Sequence, residues 1–329
     1  MTLKEISIVL EEPEESRTNK SGYIKTFCFG YLNESKLWYT DNRFYYEKES
    51  FIMSYKKILT IQDISCVGQC SLTVALPILS ACGIETCVLP SAVLSTHTAG
   101  FSGYTFRDLT EDMPAINEHW KKEGIKFEAI YTGYLGSTKQ IEYVENIMND
   151  SSAANCVKVV DPAMADNGNL YPGFDMEFVE AMKALCAKAD YIVPNLTEAC
   201  FLTGVEYKEE YDREYIDLII AKLVELGCKN IIFTGVAYSK DTTGVVVYEN
   251  GEYSYYKHSR LANGCHGTGD IYASAFVGAL VRGKSAYDAA KIAANYTVEC
   301  IKATAEEENH WYGAKFEPVL MKLITAINE

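Results

Sequence analysis

From Lys57 onward, short apolar runs alternate with stretches of helical spacing for about 270 residues, and no other feature limits the fold so strongly. Strands read at 57–61, 85–90, 129–132, 156–160, 191–193 and 230–234. Helices read at 71–82, 112–123, 137–148, 176–189, 198–202, 211–226, 269–282, 285–302 and 318–327. In the first of these helices Leu72, Ala75, Leu76 and Leu79 share a face, and Gly83 ends it. Repeated strand–helix units predict an α/β fold, with helices on both faces of a mostly parallel central sheet. The strands around Val157 and Ile231 are apolar throughout, as strands covered on both faces should be. A closed eight-stranded barrel fits less naturally. Repeat lengths are uneven, and 244–248 with 252–257, joined through Asn250-Gly251, reads as an antiparallel hairpin.

The first 52 residues do not share this pattern. A short apolar run at Ile6–Leu10 is cut off by the acidic Glu11–Glu15, and aromatic residues then scatter among charges. Residues 22–29 and 36–46 suggest no more than a short hairpin. This stretch reads as an N-terminal extension, poorly ordered or the product of an early start, ahead of a single domain over 53–329. The net charge of −15 argues against nonspecific nucleic-acid binding, which needs a basic footprint. No secretory signal is visible, and no apolar run approaches the about 20 residues that span a bilayer. A soluble, cytoplasmic chain is expected, without membrane or nucleic-acid partners. The 11 cysteines lack disulfide-framework or zinc spacing, since neither Cys66/Cys70 nor Cys82/Cys87 is a CxxC pair. Reduced thiols are expected.

The sharpest local signal is Asn263-Gly264-Cys265-His266-Gly267-Thr268-Gly269-Asp270, running into a helix. Glycines here let backbone turn tightly and approach a ligand closely. Successive N–H groups at a helix start cradle anionic oxygens. A carboxylate at Asp270 would repel a phosphate unless it takes a proton from an attacking hydroxyl, which is what a base in phosphoryl transfer does. The segment lacks the GK[ST] ending of a Walker A loop.

Six stretches in order carry a resemblance to the ribokinase-like superfamily, and within it to the pyridoxal kinases. They are Ile61-Gln62, Leu94-Ser95-Thr96-His97-Thr98, Thr132-Gly133-Tyr134, Asp161-Pro162, Pro194-Asn195-Leu196-Thr197-Glu198 and Gly267-Thr268-Gly269-Asp270. The resemblance runs from about Lys56 to Leu323. It implies a three-layer αβα sandwich of ribokinase-like type with a small lid, usually a homodimer. The implied activity is transfer of the ATP γ-phosphoryl to the 5′-hydroxymethyl group of a vitamin B6 vitamer in B6 salvage.

Carried over by motif, Asp270 resembles the catalytic base, and Gly267, Thr268 and Gly269 resemble the anion hole. Asp161, Asn195 and Glu198 resemble the group that organises Mg²⁺ beside ATP, directly or through water. Thr234 and Gly235 resemble the residues that touch the ATP phosphates. Asp63, Leu94, His97, Thr98 and Tyr134 stand at the family's substrate positions, and a monovalent cation such as K⁺ is common near the glycine-rich loop. One departure stands out: the position after Ile61-Gln62 is commonly Ser in pyridoxal kinases and is Asp63 here, a carboxylate able to pair with a protonated ring nitrogen or an amine. The rivals are a hydroxymethylpyrimidine kinase of thiamine synthesis, and, in a different class, a non-catalytic nucleotide-sensing regulator on a kinase fold.

Overall fold

The computed structural model describes the backbone of residues 27–32, 35–40 and 43–48, and residues 55–329 apart from 151–152, 154, 262–264 and 308. The chain forms two units, Met1–Tyr55 and Lys56–Glu329. In the first, β1 (Phe27–Leu32), β2 (Ser35–Thr40) and β3 (Arg43–Lys48) make an antiparallel meander. The stretch 36–46, read above as one arm of a hairpin, falls on both β2 and β3, which pair antiparallel through Thr40 and Arg43. The expected low order of residues 1–26 lies outside the described residues.

The second unit is a three-layer sandwich. Its strands are β4 (Lys57–Ser65), β5 (Glu85–Leu94), β6 (Phe106–Asp108), β7 (Ala129–Thr132), β8 (Val157–Val160), the small pair β9 (Ala165–Asp166) and β10 (Asn169–Leu170), β11 (Tyr191–Ile192), β12 (Asn230–Ser239), β13 (Thr242–Glu249) and β14 (Glu252–Ser259). The main sheet runs β14-β13-β12-β11-β8-β7-β4-β5-β6. Strands β5 to β12 in that row are parallel, and both edges are antiparallel. The edge strand β6 is exposed along its length.

Side chains alternate across the sheet as the two-residue strand period requires. Leu59, Ile61, Ile130, Val160 and Ile231 face one core, closed by α2 (Met113–Lys122), α3 (Thr138–Asn149), α4 (Met176–Lys188), α5 (Leu196–Thr203) and α6 (Arg213–Glu225). Ile58, Tyr131, Val159 and Ile232 face the other, closed by α1 (Leu72–Ala81), α7 (Thr268–Val281), α8 (Ala286–Ala305) and α9 (Leu320–Asn328). Within this second layer α7 lies hard against α1. A Cβ on Gly278 would come 2.4 Å from the Cys82 Sγ, and Arg282 Nη1 donates to the Cys82 carbonyl at 2.7 Å.

Most helices begin as their sequences direct. Ser137, Asp175, Asp212 and Ser285 each accept a first-turn N–H, a cap worth about 1 kcal/mol. Helix α7 differs: its N-cap is Gly267, in the left-handed conformation at φ 77, with no side-chain cap. Its leading N–H groups are therefore left for something other than a cap. Strands β4, β5 and β12 run several residues beyond their apolar cores. The β4 and β5 extensions pair with each other past an irregularity between Gln62 and Ile64. The added residues, Gln62-Asp63-Ile64-Ser65 on β4 and Gly235-Val236-Ala237-Tyr238-Ser239 on β12 among them, mix polar, small and apolar types and do not continue the apolar runs that marked these strands. No described helix is long and apolar enough to cross a membrane, and the described cysteine side chains are free thiols.

Candidate active site

Strand order reverses at β4: the chain steps to β5 on one side, then returns to β7 on the other. Ligands bind α/β sheets in the crevice at the carboxyl ends of strands at such a switch. The sequence-predicted residues collect there. Asp63 lies near the end of β4 and Leu94 ends β5, in the row that pairs Ser65 with Leu94. Gly133 and Tyr134 follow β7, Asp161 follows β8, Asn195 follows β11, and Thr234 lies on β12 where it passes Pro194.

Gly133 is required by contact: a Cβ there would meet the Gln62 side chain at 2.8 Å. Tyr134, half-buried, tilts against Phe174 with centroids 5.5 Å apart. Burial, with Asp63 and Tyr104 nearby, pushes its hydroxyl up to about 12. Asp63 is buried and accepts a hydrogen bond from Ser65 Oγ at 2.9 Å and another from the Ser71 hydroxyl. Burial nevertheless holds its carboxyl above the usual range.

His97 is buried, and both its ring nitrogens are committed. Nε2 lies 2.6 Å from the Tyr312 carbonyl, which can only accept, and Nδ1 accepts from the Ala99 N–H at 3.1 Å. This fixes the neutral tautomer with hydrogen on Nε2. What His97 presents to a ligand is its ring, not a donor or acceptor. Thr98 is exposed.

The metal and phosphate candidates cluster at β8 and α5. Asn195 and Glu198 form a reciprocal capping box: Glu198 N–H donates to Asn195 Oδ1 at 2.9 Å, and Asn195 N–H donates to Glu198 Oε2 at 2.9 Å. Glu198 Oε1 also accepts the Met164 N–H at 3.2 Å, and Asn195 Nδ2 donates to the Ala165 carbonyl at 2.9 Å. Burial raises the Glu198 carboxyl. It also raises Asp161, where the charges of Glu198 and Asp270 add to the effect. Thr234 Oγ1 donates to the Pro194 carbonyl at 3.2 Å, and Gly235, at φ 73, faces open space. Asp166, in the loop that follows Asp161, ends β9 exposed, and its side chain accepts from the N–H of Asn167.

Asp161, buried and within the influence of the Glu198 and Asp270 carboxyls, is a place where a cation would relieve repulsion, and hard oxygen donors of this kind suit Mg²⁺. The described residues include no group of three or more His, Cys, Asp or Glu that could cage a metal alone. That is the expected condition where phosphate oxygens and water complete the shell. The commitment of Glu198 to backbone amides favours contact through water.

At the start of α7, Gly267 fits because nothing larger would: a Cβ there would lie 1.8 Å from the Gln69 carbonyl oxygen. Gly269 has open space around its Cα. Thr268 Oγ1 donates back to the Cys265 carbonyl at 3.1 Å, so its hydroxyl serves the turn. Asp270 is partly buried, and burial pushes its carboxyl up to about 7; the Ser71 N–H bonded to it works the other way, and Asp63 adds repulsion. A carboxyl near 7 beside bare helix-start amides can accept a proton where an anion is held. The sequence reading missed Ser71, which bonds Asp270 through its backbone and Asp63 through its hydroxyl. A helix start preceded by Gly68 was the available signal. Asn263 and Gly264 lie outside the described residues.

Comparison with known proteins gives the setting. Residues 79–315 match a family model described as phosphomethylpyrimidine kinase. A pyridoxal kinase of Dictyostelium discoideum is 29% identical over 252 residues, covering 69% of this chain and 78% of that protein. A hydroxymethylpyrimidine/phosphomethylpyrimidine kinase of Bacillus subtilis (strain 168) is 26% identical over 258 residues, covering 77% and 91%. Among solved structures, a Bacteroides thetaiotaomicron VPI-5482 protein named for the phosphomethylpyrimidine kinases, solved with pyridoxal, superposes with a TM-score of 0.78 at 39% identity over 82% of this chain and 96% of that one.

Proposed function

The chain belongs to the phosphomethylpyrimidine kinase family of ribokinase-like kinases, and from that premise we propose that it phosphorylates the 5′-hydroxymethyl group of a vitamin B6 vitamer with ATP. Asp270 carries the reading: a carboxyl raised to about 7 at the uncapped N-terminus of α7. The similar Bacteroides thetaiotaomicron structure with pyridoxal supports the choice of acceptor.

Asp270 takes the proton of the acceptor hydroxyl as that oxygen attacks the γ-phosphorus of ATP, and the bond to the β-phosphate oxygen breaks in line. The N–H groups of Gly267, Thr268 and Gly269, with the positive end of the α7 dipole, stabilise charge on the moving phosphoryl. Thr234 and Gly235 border the ATP phosphates. Asp161, with Asn195 and Glu198 acting through water, would hold Mg²⁺, which supplies charge neutralisation between the phosphates. Asp63, Leu94, Tyr134 and the ring of His97 wall the acceptor, with Thr98 at the rim. A flat pyridine suits an aromatic and aliphatic wall with a single charged reader.

A hydroxymethylpyrimidine acceptor is the second reading, favoured by the matching family model and the Bacillus subtilis relative. The two separate in one assay of pyridoxal, pyridoxine, pyridoxamine and hydroxymethylpyrimidine with ATP and Mg²⁺. Turnover of at least one vitamer at kcat/KM above that of the pyrimidine is expected. Turnover of the pyrimidine alone reverses the assignment.

Asp63→Ser tests the charged reader. A hydrogen bond to a charged group contributes about 1.5–3 kcal/mol, so the kcat/KM ratio of pyridoxamine to pyridoxal is expected to change by about tenfold. A ratio that stays constant removes Asp63 from acceptor discrimination.

A further inference from the structure

The loop between β4 and α1 is where three parts of the candidate site meet, and Gln69 is its centre. Gln69 Nε2 donates to both Glu317 carboxylate oxygens, at 3.1 and 2.9 Å. Gln69 Oε1 accepts from His310 Nε2 at 2.8 Å, so the side chain is saturated by the C-terminal segment. Its backbone bridges that segment at Gly313, and Gly313 leaves room for it: a Cβ there would sit 2.7 Å from the Gln69 Cβ. On its other side the Gln69 carbonyl abuts Gly267. Two residues on, the Ser71 N–H bonds Asp270.

The same segment grips two more loops. The Tyr312 carbonyl holds His97, and the Ala314 N–H donates to the His266 carbonyl at 3.0 Å, next to Gly267. Trp311 packs on Phe101 with centroids 4.7 Å apart and covers Gly100.

The geometry points to Gln69 as a positioning residue: anchored by His310 and Glu317, it clamps the 66–71 loop against Gly267 and so fixes the start of α7, with its anion-holding amides and Asp270, relative to the Ser71 N–H and Asp63. The C-terminal segment 310–317 is thereby a working part of the site. This rests on the reading of Gly267–Asp270 as the phosphoryl-transfer centre. An error of about 1 Å in such a centre costs on the order of 10²-fold in rate.

The test uses the full chain with its best acceptor, ATP and Mg²⁺. Gln69→Ala is expected to lower kcat by about 10- to 100-fold while the acceptor KM stays within about threefold. Gln69→Glu alone is expected to do the same, because two carboxylates then face each other. The double variant Gln69→Glu with Glu317→Gln restores the pattern with donor and acceptor exchanged, since the new carboxylate accepts from both His310 and the new amide, and kcat is expected to return to within about threefold of wild type. His310→Phe, which keeps a ring beside Tyr312 and deletes one bond, gives an intermediate loss and serves if Gln69→Ala folds poorly. A wild-type kcat in Gln69→Ala or His310→Phe, or an exchanged pair that recovers thermal stability without kcat, overturns the proposal alone. Absence of transfer by the wild-type chain to every acceptor overturns the functional reading, and the proposal with it.

Discussion

Asp270→Asn is expected to reduce kcat by about 10³-fold, in the range set by loss of a general base, while making the protein more stable at alkaline pH. Both effects come from one shifted carboxyl. Burial pushes Asp270 up to about 7 from the ordinary aspartate value near 4, so the folded chain holds a proton that the unfolded chain has released across most of that interval. Folding stability therefore falls as pH rises from about 4 to about 7, and the full cost is felt above it. The amide of Asn carries no such cost. A gain of about 2 kcal/mol at pH 8 is expected, roughly half of what the full shift implies, because the carboxyl is partly open to water. Near pH 4 the gain should vanish. Activity should respond in the opposite sense: kcat/KM of the wild type rises with pH through about 7 as Asp270 becomes able to accept a proton. Parallel melting curves and initial rates at pH 4.5, 6, 7 and 8 decide this. Equal Tm for the two proteins at pH 8, or a variant retaining near-wild-type kcat, would falsify the assignment of the base.

Gly267→Ala is the second large effect. The new methyl would lie 1.8 Å from the Gln69 carbonyl oxygen, a backbone atom with no rotamer to escape into, at a φ of 77. The left-handed conformation alone costs a non-glycine residue about 1–2 kcal/mol. Relief requires the α7 start or the 66–71 loop to move by more than about 1 Å, and a loss of kcat on the order of 10²-fold follows. Gly269→Ala is the control. Its methyl meets no atom within 4 Å and no positive φ, so the variant should melt within about 1 °C of wild type. It nevertheless places a methyl where the transferred phosphoryl is proposed to rest, and weaker ATP binding or slower transfer is expected. If Gly267→Ala melts and turns over like wild type, the tight approach of loop to helix has no part in activity.

These residues also mark the limit of what was legible in the chain. Asp270 and Gly267 could be read because their chemistry is local: glycines, a carboxylate and a helix start lie within a few positions. The capping box of Asn195 and Glu198 is local too, and its spacing pointed to a helix start as well as to a metal. The αβα architecture followed from periodicity, and the similar solved structures bear it out. The pairing of Gln69 with His310 and Glu317, and of Ser71 with Asp270, was not legible, since these partners are about 200 to 250 positions apart and no period connects them. His97 was placed at a substrate position by the resemblance alone, with no role given to its nitrogens. Its nitrogens are taken by Ala99 and Tyr312, a fact that depends on where a distant carbonyl arrives. The strands read at 57–61 and 85–90 stopped short of the observed ends of β4 and β5, whose last residues pair in the sheet and carry Asp63 and Leu94 into the crevice.

The contact of Gly278 with Cys82, reinforced by Arg282, makes α7 a lever. Gly267 lies 11 residues up the helix from that fulcrum, about 16 Å at 1.5 Å per residue. Over such an arm a tilt of 5° displaces the amides by about 1.4 Å, whereas a productive site tolerates only about 0.5 Å. The angular play permitted at the pivot is thus near 2°. The accuracy of the proposed phosphoryl cradle depends, beside the Gln69 clamp, on a joint near the opposite end of the helix, where Gly278 leaves no space for a Cβ beside the Cys82 sulfur and Arg282 ties α7 to the end of α1.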